Sequence, residues 1–151
     1  MNVLDRPTWL PEHLLPYWNG TPYQVLRATI VAEAESESAE GQYAVGCVVR
    51  NRALLQWGWS SSIVVACLQP WQFSCWWGEG FIARQKVLKL AMRSETAFPI
   101  ASDAAYRVLK NEPDITATAT HYFNPDIVKP NWASHLIRKC RIGAHDFYGY
   151  I

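Results

Sequence analysis

The stretch Thr21-Pro22-Tyr23-Gln24-Val25-Leu26-Arg27-Ala28-Thr29-Ile30-Val31-Ala32-Glu33-Ala34-Glu35-Ser36-Glu37 decides how the chain folds. Thr21 followed by Pro22 reads as a helix N-cap with proline at the first helical position, where its missing N–H costs nothing. Val25, Leu26, Thr29, Ile30 and Glu33 then recur at helical spacing. A helix is predicted from about Tyr23 to Glu35. Glu33 falls on its apolar side. Glu37, one turn further on, shares that face if the helix persists, with Cβ atoms about 5–6 Å apart. Glu35 should point to solvent. A carboxyl on a half-buried face beside a second carboxylate is expected to have a raised pKa, because desolvation and like charge both oppose ionisation. Such a group stays protonated near neutral pH and can serve as a general acid. The plainer alternative stays open: Glu33 caps a neighbouring helix or pairs with an arginine such as Arg50 or Arg52.

Working outward, residues 1–20 hold Pro7, Pro11, Pro16 and Gly20 with Trp9 and Trp18. They read as an irregular arm with one short helical turn, packed on the domain by its aromatics. Residues 21–151 read as a single domain. A second helix is predicted over Ala39–Trp57, with Ala44, Val45, Cys47, Val48, Leu54 and Leu55 buried and Gln42, Arg50 and Arg52 on its polar face. A short helix at Ser61–Leu68 follows, then a loop over Gln69–Gly78 crowded with aromatics. Further helices are predicted near Ala83–Arg93 and Ser102–Lys110, separated by Pro99. Thr116–Phe123 alternates and is β-branched, so it reads as a strand. A second strand-like piece runs over Ile137–Tyr148, with Gly143 as a kink or bulge. The fold class is α+β: a mostly helical body with a small antiparallel sheet or hairpin near the C-terminus.

Composition narrows the function. The chain has 151 residues, 14 Lys and Arg against 13 Asp and Glu, and 18% charged residues, where about 25% is usual. With 50% hydrophobic residues, it is not disordered. A net charge of +1 argues against nucleic acid as a partner, which usually requires a clearly basic domain. Eight Trp, seven Tyr and five Phe exceed what a core of this size needs, so some rings are expected to line a groove. Apolar runs such as Ile63–Leu68 are too short for stable membrane insertion. The N-terminus lacks the pattern of a secretory signal, so a cytosolic product is expected.

Cys47, Cys67, Cys75 and Cys140 form no CxxC pair. Cys47 and Cys67 read as small buried hydrophobes, and disulfides are not expected in a cytosolic product. His13, His121, His135 and His145 lack metal-ligand spacing, so no metal site is expected. Nucleotide and hydrolase-elbow motifs are absent from the sequence, so no cofactor is expected. The order Cys75, His121, Asn131 superficially fits a cysteine peptidase. Cys75, however, is followed by two Trp rather than opening a helix that would lower its pKa.

Several motifs occur in a telling order: Ala32-Glu33-Ala34-x-x-Glu37; Glu40-Gly41-Gln42-x-Ala44-Val45-Gly46-x-Val48-x-x-Asn51-Arg52; Gln69-Pro70-x-Gln72-Phe73-Ser74-Cys75-Trp76; Ala119-Thr120-His121-Tyr122-Phe123-Asn124-Pro125; and Arg141-Ile142-Gly143-x-His145-x-Phe147-Tyr148. Over residues 24–148 the chain resembles the SleB/CwlJ-type cell wall hydrolase family, known from spore-cortex-lytic enzymes and bacteriophage endolysins. The resemblance implies a lysozyme-like, lytic-transglycosylase-like catalytic domain. It implies cleavage of peptidoglycan between N-acetylmuramic acid and N-acetylglucosamine, as a lytic transglycosylase or a muramidase, and places the catalytic acid on Glu33. Glu37 matches the motif's second glutamate. Stacking and hydrogen bonding to sugar would come from Glu37, Gln72, Phe73, Ser74, Trp76, His121, Tyr122 and Asn124, although Phe73 and Trp76, taken singly, read as core residues. Trp71 and Tyr148 also fall in matched motifs and would shape or support the groove.

Where family members often carry Arg-Gly between the two glutamates, this chain has Glu35-Ser36. A bare catalytic domain without an export signal resembles a phage endolysin, made in the host cytoplasm and released to the wall or periplasm through a holin. It is expected to be a monomer that needs only peptidoglycan as partner. Two other readings remain at this level: a non-catalytic peptidoglycan-binding module and a Cys-dependent endopeptidase.

Overall fold

The computed structural model describes residues 6–55 and 62–150. The expected end of the second helix at Trp57 and the start of the short helix at Ser61 lie outside the described residues. The helices are α1 (Leu15–Trp18), α2 (Pro22–Ala34), α3 (Ala39–Leu54), α4 (Ile63–Leu68), α5 (Gly78–Arg93) and α6 (Pro99–Leu109). The strands are β1 (His121–Phe123), β2 (Ile137–Ile142) and β3 (His145–Gly149), paired antiparallel in the order β1-β3-β2.

Helix α2 is the hub, packed against α3, α4, α5 and α6. Its start follows the expectation. Thr21 accepts from the Gln24 N–H and the Gln24 side chain accepts from the Thr21 N–H, with Pro22 at the first position. Val25, Leu26, Ile30 and Val31 are fully buried, and so is Thr29. A helix covered on nearly all sides must satisfy its polar side chains internally. Arg27 accordingly donates from Nε to the Ala91 carbonyl at 2.6 Å and from Nη2 to the Met92 carbonyl at 2.9 Å. Those carbonyls lie in the last turn of α5 and lack helical partners. Thr29 donates to the Val25 carbonyl and accepts the Trp76 indole N–H at 3.1 Å.

The helix does not persist to Glu37. It ends at Ala34, and Ser38 caps α3 by accepting from the Gly41 N–H. The chain turns between the two, so Glu37 leaves the face that carries Glu33. Helix α5 starts at Gly78, ahead of the expected Ala83, and Gly80 lies where a Cβ would come within 2.1 Å of the Ser74 carbonyl oxygen. Helix α6 starts at Pro99 rather than Ser102, because proline opens this helix at its first turn.

Two strand expectations are corrected. Residues 116–120 are not strand: Ala117 (φ 56°) and Thr118 (φ 69°) adopt left-handed backbone. That segment wraps the Asp114 carboxylate, which accepts from the Thr116 N–H and hydroxyl, the Thr118 N–H and the Asn51 amide. The piece over 137–148 is two strands, not one kinked strand. Gly143 (φ 58°) and Ala144 make the hairpin turn, with Ile142 opposite His145. The irregularity lies instead between Arg138 and Cys140. The sheet meets α3 through a small core of Ala44, Val48, Ala119, Ile142 and Phe147.

The N-terminal arm packs by its aromatics. Trp9 meets Trp18 edge-on at 6.2 Å, Tyr17 meets the Trp76 ring at 4.8 Å, and His13 Nε2 lies 3.1 Å from the Trp76 carbonyl. The four cysteines are free, with Cys47, Cys67 and Cys75 buried. Among the described residues no helix is long and apolar enough to cross a membrane, and no group of His, Cys, Asp and Glu could hold a metal ion.

Candidate active site

A groove of about 630 Å³ opens between the end of α2, the loop before α5 and the sheet. Glu33 and Arg52 face it from α2 and α3. Trp71, Gln72, Phe73 and Ser74 form one side. His121, Tyr122 and Phe123 of β1 form the other, with Val128, Pro130 and Trp132 beyond them.

Glu33 sits in the last turn of α2, and its Oε1 accepts from the Cys75 N–H at 3.4 Å. Burial raises its pKa, outweighing the hydrogen bonds from Cys75 and the positive charges of Arg52 and Arg84. The raised direction follows the expectation, and desolvation is its largest cause. Glu35 points outward and pairs with Arg84 at 2.6 Å.

Arg52 is buried, although periodicity placed it on a polar face. Its Nε donates to the Thr120 carbonyl at 2.6 Å and its Nη1 to the Gln72 carbonyl at 3.4 Å, while its guanidinium lies 4.7 Å from the Phe73 ring centre. It thus ties the loop side of the groove to the sheet side. Burial lowers its pKa, yet arginine keeps its charge at any pH near neutral. His121 shares a 2.9 Å hydrogen bond between Nδ1 and the Thr120 hydroxyl and lies 4.7 Å from the Trp132 ring. Burial and the Arg52 charge hold its pKa down to about 4, so it is neutral near pH 7. Burial and the nearby Glu33 push the Tyr122 phenol well above its usual range.

The structure therefore brings Glu33, Gln72, Phe73, Ser74, His121 and Tyr122 together. It does not bring the other expected contacts there. Trp76 is fully buried in the core and its indole is spent on Thr29. Asn124 shapes a turn, its side chain accepting from the Asp126 N–H at 2.9 Å. Glu37 braces the hairpin: it accepts from the Ala144 N–H at 3.2 Å and faces His145 Nδ1 at 3.0 Å. A Cβ on Gly143 would meet that carboxylate at 2.9 Å. Arg52, Phe123, Val128, Pro130 and Trp132 also line the groove. Of these, Arg52 and Phe123 could have been found from their places in the matched motifs.

The endopeptidase reading fails on Cys75. Its thiol is buried, and burial together with the Glu33 charge pushes its pKa well above the usual range. A nucleophilic cysteine needs the opposite environment.

A family model described as cell wall hydrolase matches residues 36–148, beginning just after Glu33. No curated protein matches the sequence. Among solved structures, the catalytic domain of the germination-specific lytic transglycosylase SleB from Bacillus anthracis is similar at 21% identity and a TM-score of 0.66, over 95% of this chain and 100% of that one. The catalytic domain of the Bacillus cereus SleB protein is similar at 23% identity and a TM-score of 0.63, over 96% of this chain and 99% of that one. These likenesses show a shared fold. With most of its length matched by the family model, the chain belongs to the cell wall hydrolase family.

Proposed function

We propose that the protein cuts peptidoglycan glycan strands between N-acetylmuramic acid and N-acetylglucosamine as a lytic transglycosylase, with Glu33 as both acid and base. One observation carries the reading: among the described residues lining the groove, Glu33 is the sole carboxylate, and burial favours its protonated form. Protonated Glu33 gives its proton to the glycosidic oxygen as the bond to muramoyl C1 breaks. The 4-hydroxyl of N-acetylglucosamine leaves. The muramoyl 6-hydroxyl then attacks C1, its proton passes to the Glu33 carboxylate, and a 1,6-anhydro ring closes. Glu33 ends protonated, as it began, and no water is consumed.

Hydrolysis would ordinarily use a second carboxylate, about 5–5.5 Å away for retention or about 6.5–9.5 Å for inversion. The Arg52 charge and the Cys75 N–H favour the Glu33 carboxylate present between the two proton transfers. The similar domain from Bacillus anthracis is itself described as a lytic transglycosylase, which supports the reading. Glu33→Gln keeps the shape and removes the titrating proton. On purified sacculi it should lose about 10²–10⁴-fold in turnover, the range of general acid–base catalysis. Activity close to the parent's would exclude the mechanism.

A further inference from the structure

Trp71 is the most unusual residue on the groove. It is 71% exposed, yet it lines the same depression as Glu33. Its backbone is left-handed at φ 61°, a conformation that costs a bulky side chain on the order of 1–3 kcal/mol and concentrates at functional sites. An exposed tryptophan alone would mean little, since single apolar side chains are common on surfaces. Here the exposed ring is also held in place. Its centre lies 5.6 Å from that of Trp77 at a tilt of 38°. A Cβ on Gly78 would sit 3.4 Å from the edge of the same ring, so the ring rests over a residue with no side chain. Gly78 is itself left-handed at φ 56°. The turn thus accepts an unfavourable backbone at Trp71 and presents a fixed, largely bare aromatic face at the groove.

We propose that Trp71 is a stacking platform for a pyranose ring of the glycan strand, a substrate-affinity residue separate from the acid–base chemistry at Glu33. The inference rests on the glycan-cleaving reading of the groove. Sugar rings present C–H faces that stack on indole, and such a contact suits this groove. Its charged side chains are the part-buried Glu33 and the buried Arg52, and its remaining lining is aromatic, apolar or neutral polar. A face held in advance loses little freedom on binding. Gln69-Pro70-x-Gln72 leaves position 71 open in the matched motif, so the platform is a property of this chain's own residue.

Trp71→Gly separates binding from folding, because glycine adopts positive φ without strain and the lost ring is mostly in water. On soluble glycan strands freed of stem peptides, KM should rise about tenfold, the size of an aromatic contact with its buried area, with kcat within about twofold. The midpoint of thermal unfolding should hold or rise. Trp71→Phe should recover most of the affinity. An unchanged KM in Trp71→Gly, or a clear fall in its unfolding midpoint, would overturn the platform. Glu33→Gln is assayed alongside: if it stays active, the glycan-cleaving reading fails. If Glu33→Gln is inactive while Trp71→Gly keeps the parent KM, the platform alone fails.

Discussion

The Cys75 N–H donates to Glu33 Oε1 across 3.4 Å, joining residues 42 positions apart. That contact fixes the end of α2 against the loop that carries Gln72, Phe73 and Ser74. The acid and the loop side of the groove are therefore positioned as one unit. The loop is anchored from below by Trp76, whose ring is buried against Tyr17 and whose indole bonds Thr29.

Holding Glu33 in a dehydrated site has a cost with a defined sign. Its folded pKa lies above its ordinary value of 4.5. Between those two values the unfolded chain ionises while the folded one does not, so stability falls as pH rises through that window. Glu33→Gln should therefore be more stable than the parent at pH 7. The difference should grow from about pH 4.5 and level off above the folded pKa. Urea unfolding at several pH values checks this, and a less stable Glu33→Gln at neutral pH would count against it.

The same shift sets the rate profile. Activity should fall as pH rises past the raised Glu33 pKa, because the acid form is lost. Arg52→Met removes a nearby positive charge, so Glu33 should titrate higher and the alkaline limb should move up. The variant also orphans the Thr120 and Gln72 carbonyls, at roughly 1–3 kcal/mol for each buried group left unpaired. A limb that stays in place in folded Arg52→Met would separate Arg52 from the acid.

His121 predicts acid sensitivity. Its folded pKa is held to about 4 against an ordinary 6.5. This depressed value contributes stability above pH 6.5 that is lost as pH falls toward 4. His121→Gln should flatten that part of the stability profile. An unchanged slope would assign the acid loss to other groups.

Glu37 should act through the fold. Glu37→Ala removes the acceptor for the Ala144 N–H and the partner of His145. The expected loss of stability is roughly 1–3 kcal/mol, with kcat near the parent's at temperatures where the protein is folded. A large fall in kcat with unchanged stability would return Glu37 to the substrate.

What the sequence made legible was local. The Thr21 cap with Pro22 after it, the helix that follows and the apolar setting of Glu33 depend on near neighbours, and all appear in the structure. The misreadings came where alternation or periodicity was the wrong guide. Residues 116–120 alternate like a strand, but Asp114 gathers their N–H and hydroxyl groups into a loop. Pro99 looked like a separator and is the first residue of α6. Arg52 looked solvent-facing because helical periodicity assumes one dry face, and α3 also buries Gln42, Asn51 and Arg52. Glu37 left the Glu33 face because Ser38 starts a new helix immediately after it.

The most direct test of the central claim is the mass of the muropeptides released from purified sacculi. Closure by the muramoyl 6-hydroxyl yields 1,6-anhydromuramoyl ends, each one water lighter than a hydrolysis product. The account predicts that these ends dominate with the parent protein and vanish with Glu33→Gln. Reducing muramoyl ends formed with uptake of water, or release of stem peptides with intact glycan, would contradict it.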